Sequence, residues 1–285
     1  MNKFKATKTA GIIGVLGNIL LLLLKAVVGF ASKSQAMIAD SINSASDIFA
    51  SLMTFVGNKI ASEPGDSTHN FGHGKAEYIF SLFISISMIV ASGKLLVDSV
   101  SSLLNHQQVI FSVFLIVVCA ITIIVKFVMF LFTKNLYKKF HNILLEANYK
   151  DHRNDCFVTT FTLISVIASL YGIYWLDGIV GIGISAWICF TGVKIFIESY
   201  NVLMDISIDE NTKNIILDLA SSYKDILKVD NLYSTPVGDQ YIIVLTIYLD
   251  GNMSTFSSHK LADSIEKDIG ALEKVAHVIV HVNPI

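Results

Sequence analysis

Charge is what this sequence lacks. Only 15% of its 285 residues are Asp, Glu, Lys or Arg, against roughly 25% in a soluble domain, while 53% are hydrophobic. The formal net charge is −2, so no basic surplus points to a nucleic-acid partner. Cysteine is scarce as well. Cys119, Cys156 and Cys189 each lie in an apolar stretch without a C-x-x-C pair, which excludes a disulfide framework and a thiolate metal site. The prolines, Pro64, Pro236 and Pro284, all fall outside the long apolar runs, so none of those runs is broken by a missing N–H.

The apolar excess is concentrated before about residue 205. A helix crosses the hydrocarbon of a bilayer with about 20 mostly apolar residues. Six segments qualify, at 10–31, 35–60, 77–104, 109–132, 145–175 and 178–203, the second of them unusually polar. Lys25, Lys94, Lys126 and Lys194 interrupt these runs, and each either snorkels to an interface or faces the bundle. Lys3, Lys5 and Lys8 before the first run resemble the start of a signal peptide. That run is too long for one and has no obvious cleavage site, so a retained helix is expected. Lysines gather in the N-terminal tail, at Lys59 and Lys75, and at Lys134, Lys138 and Lys139 in a loop read over 133–144, whereas the alternate loops hold only Lys33. The positive-inside rule then gives a multi-pass protein of the cell membrane with both termini cytoplasmic.

Beyond residue 205 the pattern changes. Ile215, Ile216 and Leu219 mark a helix over 211–225, and β-branched runs mark strands over 228–235 and 241–249. Leu261, Ile265 and Ile269 form an i, i+4, i+8 stripe over 256–272, and a last strand follows at 275–282. The expected fold is an α-helical membrane protein with six transmembrane helices over 1–205. To it is added a small cytoplasmic α+β (α-β-β-α-β) two-layer domain over 206–285. Glycines at Gly178, Gly181, Gly183 and Gly192 are expected to let the sixth helix pack closely.

The second and fifth spans carry the chemistry. Asn43 and Asp47 lie four apart and share one helix face, with Asp40 near it, and Asp151 and Asp155 repeat the spacing. Facing helices would bring four oxygen donors together inside the membrane. A central ionised Asp costs about 2.5–3.5 kcal/mol to insert, which is tolerable only beside water, a cation or protons. The alternative is that these carboxylates are interfacial, since His152, Arg153 and Asn154 separate the second pair. An all-oxygen set suits a hard ion such as Mn²⁺, with Fe²⁺ next and Zn²⁺ or Co²⁺ after, because zinc favours imidazole and thiolate.

The stretch Ala39-Asp40-Ser41-Ile42-Asn43-Ser44-Ala45-Ser46-Asp47 resembles the second-helix signature of the cation diffusion facilitators. Phe71-Gly72-His73-Gly74-Lys75-Ala76-Glu77 is similar to the segment that opens their third helix, and Asp151-x-x-x-Asp155 to their fifth-helix half-site. The resemblance covers nearly the whole chain. It implies a homodimer that exchanges divalent metal for protons by alternating access, with no prosthetic group. It places a transport site at Asn43, Asp47, Asp151 and Asp155. Zinc-transporting members usually have His at the position of Asp151, and Asp or His at that of Asn43, so the set resembles the manganese-exporting branch.

Three further features are expectations of lesser scope. Asp66, His69 and His73 would form an auxiliary loop site, or else a solvated loop. His259 and His281 match cytoplasmic metal positions of some members, but Asp230, Thr246 and Asn283 stand where other ligands are expected. These histidines, with His277, read as exposed residues or a degraded site. Lys75 and Asp205 match a charge pair that in the family ties the third and sixth helices. Other classes fit less well. An intramembrane aspartyl protease needs a carboxylate dyad, and the Gly-x-Gly-Asp pattern expected with it is missing. A channel needs a repeated filter loop. A membrane-anchored metal sensor would place the main work in the C-terminal domain.

Overall fold

The computed structural model describes residues 2–32, 35–105, 113–169, 171, 173, 175–238 and 240–285. These form two compact units, one of residues 1–63 and 76–200, the other of residues 64–75 and 201–285. The second unit thus includes a loop that a division at residue 205 assigns to the first.

The first unit is a bundle of α1 (Lys3–Ser32), α2 (Gln35–Ala61), α3 (Ala76–Asn105), α4 (Val113–Phe140), α5 (Ile143–Ser169) and α6 (Trp175–Leu203). Among the described residues, α1, α3, α4 and α6 are long and apolar enough to cross a membrane. The other two, α2 and α5, are the helices that carry the Asn43–Asp47 and Asp151–Asp155 pairs, and their polarity lowers the hydropathy that identifies a span. The segment 133–144 is not the loop expected. Helix α4 continues to Phe140 and α5 starts at Ile143. His141 makes the turn at φ 47, and Asn142 Oδ1 caps α5 by accepting from the N–H groups of Leu144 and Leu145 at 2.8 and 3.2 Å. Lys138 and Lys139 occupy the last turn of α4, where the helix dipole favours cations. At the other end, α5 is described to Ser169, and Tyr171 and Ile173 lie outside helix, short of the expected 175.

Small residues and amides set how closely the helices approach. A Cβ on Gly11 or Gly14 would stand 3.0 Å from Phe55 and 2.6 Å from Ser51 on α2, and one on Gly17 would stand 2.6 Å from Met129 on α4. Asn18 on α1 donates to the Asp47 carbonyl and to Ser51 Oγ, both at 3.1 Å, and Asn58 on α2 donates to the Phe4 carbonyl at 3.0 Å. Such bonds draw helices together where apolar burial cannot, because lipid is as apolar as a core. Along α6, Gly178, Gly181 and Gly192 lie against Leu103, Ser99 and Ile89 of α3, whereas Gly183 faces open space. The expectation of close packing is therefore correct at three of the four positions.

The second unit holds α7 (Glu210–Ser221), β1 (Lys228–Val237), β2 (Gln240–Leu249), α8 (Thr255–Gly270) and β3 (Val275–Pro284). Strand order is β1-β2-β3, with β1 antiparallel and β3 parallel to β2. Ile243, Leu245, Ile247 and Leu249 alternate along one face of β2 and are buried with Ile216 and Ala220 of α7 and Ile265 and Ile269 of α8. Each fully buried aliphatic side chain contributes about 1.5–3 kcal/mol.

Asp209 caps α7, accepting from Thr212 N–H at 3.0 Å, and also accepts from Lys274 Nζ at 2.7 Å. The lysine and the capping bonds lower its carboxyl from the ordinary 3.8 to about 2. A depressed carboxyl stabilises the fold above its unfolded pKa and loses that contribution as pH falls through the folded value. Lys274, raised by the same pair, stays protonated across the acid range, so the pair is lost through Asp209 alone. Asp209→Asn is therefore expected to reduce hydrogen-exchange protection of β2 amides at pH 5. The difference from wild type should shrink between about pH 4 and 2. A constant difference across that window would assign the effect to something other than the ion pair.

Candidate metal site

Asp47 projects from α2, and Asp151 and Asp155 lie one turn apart on α5, into a cavity of about 260 Å³ inside the first unit. Lys126, at the middle of α4, joins the two helices. Its Nζ donates to Asp47 Oδ2 at 2.8 Å and to Asp155 Oδ2 at 2.5 Å. Both carboxylates therefore flank one point. The Lys126 side chain is 1% exposed, against 13% for Asp47 and 21% for Asp155. Asp151 completes the group, and its Oδ2 is buried with no hydrogen-bond partner among the described residues. A buried carboxyl oxygen in that state calls for a cation, a proton or water. The Asn43 side chain lies outside the described residues, as does that of Asp40.

Two participants do not stand out in the sequence. His152 is fully buried, neither ring nitrogen has a partner among the described residues, and a ligand atom of it lies within 4.8 Å of those of Asp151 and Asp155. Lys126 was recognisable only as a lysine interrupting an apolar run. A charge at the centre of such a span is itself a functional signal, but the residues it meets depend on how the helix is turned. Lys25 and Asp98 line the same cavity.

In the second unit, Asp66, His69 and His73 come together with ligand atoms within 4.8 Å of one another. His69 Nδ1 and His73 Nε2 are each 3.6 Å from the Asp66 carboxylate. Asp66 Oδ1 accepts from the N–H groups of Thr68 and His69 and from the Thr68 hydroxyl, and these bonds hold its carboxyl at about 2. Gly72 turns the loop at φ 80. Lys75 Nζ lies 2.7 Å from Asp205 Oδ1.

His259 lies on α8, 3.6 Å from Asp263. His277 and His281 lie exposed on β3, opposite Ile242 and Thr246 of β2. Among the described residues, none of these three histidines belongs to a group of three potential ligands, and Asp230 is engaged by Lys228 at 3.2 Å.

The chain matches known proteins along nearly its whole length. Residues 11–204 match the cation efflux transmembrane domain, and residues 208–285 match the cytoplasmic domain of cation efflux proteins. The manganese efflux system protein MneS of Bacillus subtilis is 24% identical over 284 residues, which cover 100% of this chain and 98% of that protein. The cation-efflux pump FieF of Shewanella oneidensis is 27% identical over 265 residues, 93% of this chain and 90% of its own. The magnetosome protein MamM of Magnetospirillum gryphiswaldense is 28% identical over 263 residues, 91% of this chain and 82% of its own. With both domain matches in the family's order, this multi-pass membrane protein belongs to the cation diffusion facilitator family of divalent metal transporters.

Proposed function

We propose that this protein exports Mn²⁺ from the cytosol in exchange for protons. It works as a homodimer by alternating access, and the cargo is held by Asn43, Asp47, Asp151 and Asp155. The observation that carries this reading is the meeting of Asp47 with Asp155 at one point beside Asp151 inside a bundle of membrane helices. Three carboxylates suit a hard divalent ion that completes its shell with water or carbonyl oxygen. The full-length likeness to a manganese efflux protein supports the same cargo.

Proton exchange follows from the ligand chemistry. Metal binds carboxylates only in their deprotonated form, so the ion and protons compete for the same oxygens. Protons entering from outside then discharge the metal and allow the site to return. The lysines of the N-terminal tail and of the last turn of α4 support a cell-membrane orientation with both termini in the cytosol. The match of residues 208–285 to the family's cytoplasmic domain supports the dimer. Asp66, His69 and His73 are assigned to an auxiliary divalent site, and Lys75 and Asp205 to a structural charge pair.

Reconstituted vesicles test this directly. With an acidic lumen, the protein is expected to accumulate Mn²⁺ until a protonophore collapses the gradient. Mn²⁺ flux indifferent to the gradient would remove the exchange, and flux of Zn²⁺ without Mn²⁺ would remove the cargo.

A further inference from the structure

Helix α4 is apolar nearly all round from Val113 to Phe132, yet Lys126 stands in its middle and is 1% exposed. A lysine at that depth is costly to insert, so its place requires anionic partners. Among the described residues it has two in contact, Asp47 and Asp155, at 2.8 and 2.5 Å. These are the carboxylates that the export reading gives to the metal. A metal ion that takes these carboxylates competes with the ammonium, because the ammonium already occupies Oδ2 of each and like charges at contact repel.

We propose that Lys126 is a tethered cation that competes with the transported metal for Asp47 and Asp155. Its ammonium leaves at least one of them when a divalent ion binds, and returns as the ion departs. The inference rests on the export reading and adds a specificity-determining residue to it. The flexible four-carbon stem lets the ammonium move while the helix stays fixed. An acceptor is at hand in Thr122. It lies one turn earlier on α4, toward which helical side chains lean, it lines the same cavity, and its buried hydroxyl has no partner among the described residues.

The charge balance gives the device a purpose. Asp47, Asp151 and Asp155 as carboxylates carry three negative charges and the Lys126 ammonium offsets one of them. Lys25, Lys94 and Asp98 line the same cavity, so among the described residues Lys126 is the cation in direct contact, one of several charges that set the pull on a divalent ion. A monovalent ion gains too little from this cluster to displace a resident ammonium. A divalent ion gains enough, and the waiting ammonium then limits affinity and speeds release.

The test measures Mn²⁺ binding by calorimetry on the purified full-length protein and Mn²⁺ uptake by vesicles, for wild type, Lys126→Met and Lys126→Arg. Lys126→Met is expected to bind Mn²⁺ tighter by about tenfold or more, from the loss of one competing charge, with a lower maximal uptake rate. Lys126→Arg keeps the charge and should bind no tighter than wild type. A purely structural lysine would give the opposite sign, since its loss would loosen the site. Unchanged or weaker binding by Lys126→Met overturns the proposal. If that variant is not monodisperse, Lys126→Gln, which can still donate to both carboxylates, replaces it with the same expectations. A wild type that neither binds nor moves Mn²⁺ overturns the export reading itself. A wild type that does both, with no tightening in the variants, overturns only the tethered cation.

Discussion

Asp47→Asn is expected to reduce Mn²⁺ uptake by vesicles with an acidic lumen by about a hundredfold or more. A unit charge pair 4 Å apart is worth about 4 kcal/mol at the effective dielectric of a partly wet site, and about 1.4 kcal/mol is a factor of ten in affinity. The substitution preserves shape and leaves an amide oxygen able to accept from Lys126 Nζ, which now stands 2.8 Å from Asp47 Oδ2. The Asn18 bond to the Asp47 main-chain carbonyl, which ties α1 to α2, does not involve the side chain. The helices therefore have no reason to move, and the loss reports charge alone. With one carboxylate gone, the cluster beside Lys126 loses a unit of negative charge and one ligand for an ion that carries two positive charges. Uptake within twofold of wild type, at equal protein incorporation, would take Asp47 off the transport path.

Much of this architecture is visible in the sequence because it is local. The stripe of Leu261, Ile265 and Ile269 and the alternation of Ile243, Leu245 and Ile247 specify α8 and β2 within their own neighbourhoods, and both elements lie where the pattern places them. The i, i+4 spacing of Asp151 and Asp155 likewise follows from helix geometry alone. What the sequence hides is rotation. Helix α4 is apolar nearly all round, so no stripe shows which side faces inward, and the partners of Lys126 emerge only when three helices are assembled. His152 was obscured by its neighbours Asp151 and Arg153, which made the start of α5 read as a polar surface. The glycines of α1 at 11, 14 and 17 were masked by the apolar run around them, although their spacing of three puts them along one side. The helical end of α4 does not show in the sequence because lysines usually signal solvent. Here they sit in its last turn and favour the helix dipole.

Asp151→His is expected to shift transport toward Zn²⁺, raising the ratio of Zn²⁺ to Mn²⁺ uptake about tenfold or more. Two effects act in the same direction. The imidazole is neutral when it ligates, so the cluster loses one negative charge, which weakens attraction for every divalent ion. Zinc recovers the loss through a nitrogen ligand at tetrahedral geometry, which it favours, and its intrinsic affinity for nitrogen sites exceeds that of manganese. His152 sharpens the expectation. It is already buried with a ligand atom near Asp155, so the variant would place two adjacent imidazoles beside two carboxylates. The measurement loads vesicles from an equimolar mixture of the two ions and determines lumenal metal by mass spectrometry, so that both cargoes experience the same protein and gradient. An unchanged ratio, with total uptake preserved, would show that residue 151 does not set selectivity. Coordination number and cavity shape would then have to do so, with His152 and Lys126 as the next positions to vary.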